Sequence, residues 1–86
     1  MKDSVVIMKG IVQTSPTEDG NSCGFFFGDG KNNLPIKVYS PTLAESVMKY
    51  ITKGMTLRLA CRMSEMFLIA EHIEIHHTPR NAYKRA

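Results

Sequence analysis

From Met55 to Met63 every odd position is apolar (Met55, Leu57, Leu59, Cys61, Met63), while Thr56, Arg58, Ala60 and Arg62 between them are polar or small. A period of two sends alternate side chains to opposite faces of a strand, so this segment must bury its odd face against a core. A helical pattern precedes it: Leu43, Val47 and Ile51 recur every fourth residue between Pro41 and Lys53, and Gly54 supplies the stop. Ser40 with Pro41 in the first turn offers one N-cap, and Thr42 with Glu45 a capping box one step later. A second strand pattern, Met66 to His76, follows directly. Leu68 and Ala70 share one phase and Ile73 and Ile75 the other, with the slip at Glu71-His72. A one-residue slip is what a β-bulge produces, and bulges let a sheet bend. Only Ser64 and Glu65 separate the two runs, which predicts antiparallel neighbours joined by a tight hairpin.

The first half supplies three more strands. Val5 to Thr14 is rich in β-branched residues around Gly10, and a glycine inside a strand marks a bulge or a barrel corner. Ser15 to Ser22 reads as loop, Cys23 to Asp29 as a phenylalanine-rich strand, Gly30 to Asn33 as a turn, and Leu34 to Tyr39 as a third strand. Pro35 lacks an N–H and belongs at a strand start or edge. The expected fold is all-β with one helix, five strands in all, the helix lying between strands three and four. Periodicity ends at His77, so residues 1–76 are expected to form one domain and 77–86 a basic tail.

At 86 residues there is room for a single modest core, and 43% hydrophobic with 22% charged residues are globular values. No run approaches the roughly 20 apolar residues that span a bilayer, so no membrane association is expected. The N-terminus reads directly into strand without the segments of a secretion signal, which points to a cytoplasmic protein. Cys23 and Cys61 sit inside strand patterns and read as reduced, buried thiols. The net charge is +3, a mild excess that accommodates a polyanionic partner. Its distribution is uneven: Glu18 and Asp19 share an early loop, whereas Arg80, Lys84 and Arg85 crowd the end.

Three strands, a helix and two strands resembles the oligonucleotide/oligosaccharide-binding (OB) fold, a five-stranded Greek-key barrel. The stretches Phe25-Phe26-Phe27-Gly28-Asp29-Gly30, Ile36-Lys37-Val38-Tyr39, Ile51 to Leu59 and Ile73-Glu74-Ile75 are similar to its nucleic-acid-binding members. Those include anticodon-binding domains and replication protein A-like single-strand binders. The resemblance covers about residues 5 to 76 and is one of pattern. It implies a ligand platform on the outer face of the second and third strands.

With Phe25 and Phe27 inward, Phe26, Lys37 and Tyr39 face out. Aromatic faces stack any base while lysine and arginine follow the phosphates, so these three form the candidate nucleic-acid-binding set. Arg58 and Arg62, about 13 Å apart on the outward face of their strand, could meet two phosphates. Lys9 and Lys31 are further candidates, and Arg80, Tyr83, Lys84 and Arg85 could form a basic arm. Each position also has a plainer reading: all three phenylalanines as core, a tyrosine at a strand end as a cap on that core, and charges on a strand as solvated groups. Gly24 and Gly28 flank Phe26, either admitting a flat base or relieving strain in a coiled strand.

His72, His76 and His77 with Cys61 lack the paired spacing of a zinc site, so no metal is expected. No nucleophile-base motif or phosphate-cradling loop occurs, so neither catalysis nor a cofactor is expected. The reading from sequence is a non-catalytic binder of single-stranded nucleic acid, DNA before RNA. The competing reading is a protein-interaction module or adaptor subunit on the same barrel. Homodimerisation through an open strand edge is compatible with both.

Overall fold

The computed structural model describes residues 5–79. They form β1 (Val5–Val12), β2 (Thr17–Asp19), β3 (Ser22–Gly28), β4 (Asn33–Val38), α1 (Pro41–Tyr50), β5 (Thr56–Met63) and β6 (Leu68–His77). The strands are ordered β1-β5-β6-β4-β3-β2, and β1 also pairs with β3, closing a five-stranded barrel from which β2 hangs as an outer flap. All ladders are antiparallel except β4 with β6, which run parallel through Ile36 to Leu68 and Lys37 to Ile69. The helix therefore lies between the fourth and fifth strands rather than the third and fourth. The extra strand is Thr17–Asp19, read from sequence as part of a loop on the composition of Ser15 to Ser22; in the structure all three of its side chains are exposed. Its partner β3 holds it through main-chain pairing, with Gly20 at φ +68° turning the chain.

The core is the inward phase of each strand: Val12, Phe25, Phe27, Ile36, Val38, Leu57, Leu59 and Cys61 are all buried. Closure happens at Gly10. There β1 still pairs with β5, and one residue on it begins to pair with β3 through Ile11 to Gly28 and Val12 to Phe27. A Cβ on Gly10 would stand 3.1 Å from the Phe27 ring and 3.2 Å from the Gly28 carbonyl, so the missing side chain lets the two strands meet. Pro35 sits inside β4, opposite Phe26. The Phe26 main chain bonds to Gln13 and Thr14, so Pro35's nitrogen points to the other edge, ahead of the first β4–β6 pair, where no partner goes unmet.

Ser40 caps α1, its Oγ accepting from the Leu43 N–H at 3.3 Å, with Pro41 in the first turn. Ala44 and Val47 are the helix's buried residues, and the helix packs on β3 and β4. It stops at Tyr50, three residues before the expected end at Lys53. Ile51 is extended and buried, its N–H bonded to the Val47 carbonyl, so the core captures its side chain after the chain has left the helix. Gly54, at φ +95°, serves the turn into β5 instead.

The phase slip in β6 is present. Ala60 faces His72 and Cys61 faces Ala70, leaving Glu71 as the extra residue, and a second irregularity lies between Thr56 and Leu57. The β5–β6 connection is longer than the expected Ser64-Glu65 turn: Met66 and Phe67 belong to it, and the Ser64 N–H bonds to the Phe67 carbonyl at 3.0 Å. Strand β6 runs to His77, one residue past the expected limit.

Candidate nucleic-acid interface

On β3, Phe25 and Phe27 are sealed in the core in edge contact, ring centroids 6.3 Å apart, and Phe26 faces out with 47% of its surface exposed. Its backbone is fixed on one side: the Phe26 N–H donates to Thr14 Oγ1 at 3.0 Å, and its carbonyl accepts from the Gln13 N–H at 2.7 Å. The ring therefore stands on a strand that cannot easily shift. On β4 the outward residue is Lys37, and Tyr39 follows the strand end at 48% exposure.

Phe67, unused in the sequence reading, completes the surface. Its ring meets Tyr39 at 6.1 Å between centroids and 64° between planes, and Lys37 Nζ lies 5.8 Å from its centroid. The parallel β4–β6 pairing delivers it, because the residue before Leu68 arrives beside the residues before Ile36. A lone aromatic after the Ser-Glu break was the available signal. Its importance rests on which strand β6 joins, a long-range fact.

Rows of the sheet tell which cations share this face. Gly24 pairs with Lys37, Lys37 with Ile69, and Ile69 with Arg62. Arg62 thus lies on the transverse row of Lys37 with one residue between. Its Nε donates to Glu71 Oε2 at 2.7 Å. Arg58 lies four residues along β5, opposite Glu74 on one side and Lys9 on the other, with an Arg58 to Glu74 separation of 4.0 Å. Glu74 also takes His76 Nε2 at 3.0 Å; that hydrogen bond, chiefly, holds its carboxyl below the usual value, helped by Arg58 and His72. Phe26, Lys37, Tyr39, Phe67 and Arg62 therefore form one surface, while Arg58 and Lys9 belong to a neighbouring strip. Lys31 projects from the β3–β4 turn.

No protein-family model matches this chain, and no curated protein does. Solved structures match it closely in backbone. The mitochondrial single-stranded DNA-binding protein Rim1 from S. cerevisiae superposes with a TM-score of 0.82 at 15% identity, covering 92% of this chain and 100% of that one. Another crystal form of Rim1 gives 0.80 at 14% identity, over 92% and 99%. The small single-stranded DNA-binding protein from Streptomyces coelicolor gives 0.65 at 17%, over 91% and 94%. This chain has the OB fold.

Within the OB-fold barrel the two platform glycines have ordinary structural reasons. A Cβ on Gly24 would lie 3.3 Å from Lys37 Cδ, so the lysine stem already covers that spot. At Gly28 it would collide with the Asn32 carbonyl, so the turn needs this glycine. Asp29 organises that turn, Oδ1 accepting from the Lys31 and Asn32 N–H groups at 2.9 and 2.8 Å, and these bonds lower its pKa.

Both thiols of the OB-fold core are free and buried, and burial pushes Cys61 up to about 11 and Cys23 upward, so both stay protonated and unreactive. Among the described residues no three His, Cys, Asp or Glu side chains converge as metal ligands, and no helix is long and apolar enough to cross a membrane. Glu18 and Asp19 lie exposed on the β2 flap. Arg80, Tyr83, Lys84 and Arg85 lie outside the described residues.

Proposed function

We propose that this OB-fold chain binds single-stranded nucleic acid without catalysis, DNA in preference to RNA. The observation that carries the reading is the outward Phe26 on a pinned strand, facing the same way as Lys37, Tyr39 and Phe67. Bases stack on Phe26 and on the Tyr39–Phe67 pair, while Lys37 and Arg62 neutralise phosphates. Arg58, Lys9 and Lys31 serve a longer strand. That the similar structures are of single-stranded DNA-binding proteins supports DNA as the ligand. Arg80, Tyr83, Lys84 and Arg85, which follow β6 in the sequence, add contacts of their own. A cytoplasmic location accords with two reduced thiols.

The test is a titration of labelled single-stranded DNA, single-stranded RNA and duplex DNA at several salt concentrations. With about three phosphates neutralised, log affinity falls against log salt with a slope of about −2. Phe26→Ala weakens single-strand binding about tenfold, within the range of 1 to 3 kcal/mol for one stacked base. Tight binding to duplex alone contradicts a stacking platform, because paired bases offer no free face.

One observation favours the second reading, a protein-interaction module. An open apolar groove of about 510 Å³ runs between β1 and the β5–β6 connection, lined by Val6, Met8, Leu34, Met63, Met66 and Phe67 among others. An apolar segment of a protein partner, or a second copy in a homodimer, fits it. Loss of self-association or of a protein partner in Met66→Lys, with oligonucleotide binding absent throughout, would favour that reading.

A further inference from the structure

Glu71 is the residue by which β6 outruns β5, and a bulged residue is re-aimed relative to the ladder around it. Its exposed carboxylate accepts from Arg62 Nε at 2.7 Å, and the Arg62 side chain is itself 39% accessible. This contact stands on the row that carries Lys37; with neighbouring strands about 4.8 Å apart, the Lys37 and Arg62 backbones are about 10 Å apart. Carboxylate and phosphate oxygens offer a guanidinium the same acceptor geometry. Resting on the single-strand reading above, we propose that Glu71 holds the seat of a backbone phosphate on Arg62 and yields it when a strand binds.

The Arg58–Glu74 pair is the internal contrast. It spans 4.0 Å at a regular cross-strand position off the platform, and Glu74 is shared with His76. Glu71 is a positioning residue: it aims the Arg62 guanidinium along the platform row. It also acts as a built-in counterion. A phosphate that replaces Glu71 leaves that carboxylate's charge beside the strand, which holds back a cation there, whereas in Glu71→Gln the same neutralisation by Arg62 releases one cation condensed on the strand. Affinity is lowered and its salt dependence flattened, which suits a protein that must let go of its strand.

The experiment titrates a labelled oligothymidylate over a salt series into the parent, Glu71→Gln, Glu74→Gln, Arg62→Gln and the Arg62→Gln/Glu71→Gln double variant. Thermal unfolding confirms that each is folded. Glu71→Gln is expected to bind about threefold to fivefold tighter, the scale of one exposed ion pair, with a slope steeper by about 0.7. Glu74→Gln, with the same change in net charge, gains less and leaves the slope unchanged on an oligothymidylate too short to reach Arg58. In the Arg62→Gln background, Glu71→Gln adds no more than Glu74→Gln does. If Glu71→Gln matches Glu74→Gln, or its gain survives without Arg62, the inference is overturned, while Phe26→Ala still reports on the platform. If the parent and Glu71→Gln both fail to bind, the single-strand reading falls and takes this inference with it.

Discussion

Tyr39 and Phe67 meet ring edge to ring face at 6.1 Å, although one follows β4 and the other lies 28 positions later in the β5–β6 connection. The parallel β4–β6 pairing puts Phe67 level with Pro35, on the outer face that Tyr39 shares, and the two rings span the remaining offset to extend the outer aromatic surface.

Phe67→Ala is expected to weaken single-stranded DNA binding about tenfold, as for the loss of one stacking face. A Tyr39/Phe67 double-mutant cycle, read by denaturant unfolding, should return a coupling of about 0.5 to 1.5 kcal/mol. Additive stabilities would mean that the rings do not support each other.

Gly28→Ala places a methyl group against the Asn32 carbonyl in a turn already fixed by Asp29. Forcing atoms into filled space destabilises by about 1 to 3 kcal/mol. The urea midpoint should drop at constant m, whereas an unchanged midpoint would show that the turn relaxes freely.

Acid should remove the contribution of Glu74. Its folded pKa lies below the ordinary 4.5, chiefly through the His76 hydrogen bond, so the stabilisation is present above that value. It is lost as pH falls through the folded pKa. Unfolding midpoints of Glu74→Gln and the parent should therefore converge in acid and separate towards neutrality; parallel pH profiles would contradict the pairing.

At the alkaline end the sign is reversed. Burial, with Glu71 nearby, raises the Cys61 thiol from 9.0 to about 11, so the folded state keeps a proton that the unfolded chain gives up. Stability should be undiminished by this group below about pH 9 and should decline from there through about 11. At pH 8, a thiol reagent should modify neither cysteine until denaturant is added; labelling of native protein would show that the core admits the reagent.

Local patterning was enough for much of the barrel. The period of two in β3 and β5 identifies Phe25, Phe27, Leu57 and Leu59 as core and leaves Phe26 outside, because pleating fixes parity without knowledge of partners. The slip at Glu71 was legible for the same reason. Thr17–Asp19 was not, since an exposed strand held only by its neighbour's main chain has no apolar signature. The helix end was misjudged because Ile51 fits a helical stripe and a buried extended position equally well. Arg58 and Arg62 read as bare cations; their glutamates lie on a different strand, and cross-strand register is invisible along one chain.

Because only Ile11 with Gly28 and Val12 with Phe27 join β1 to β3, separating those pairs would unroll the cylinder into a curved sheet with every other ladder intact. The Gln13 and Thr14 bonds to Phe26 are the staples beside that seam. The amide hydrogen of Gln13, which donates to the Phe26 carbonyl across the seam, should thus exchange by a cheaper opening than those of Leu57 and Leu59. A strand of DNA stacked on Phe26 would latch the seam shut, so slowed exchange there would register occupancy from the inside of the wall.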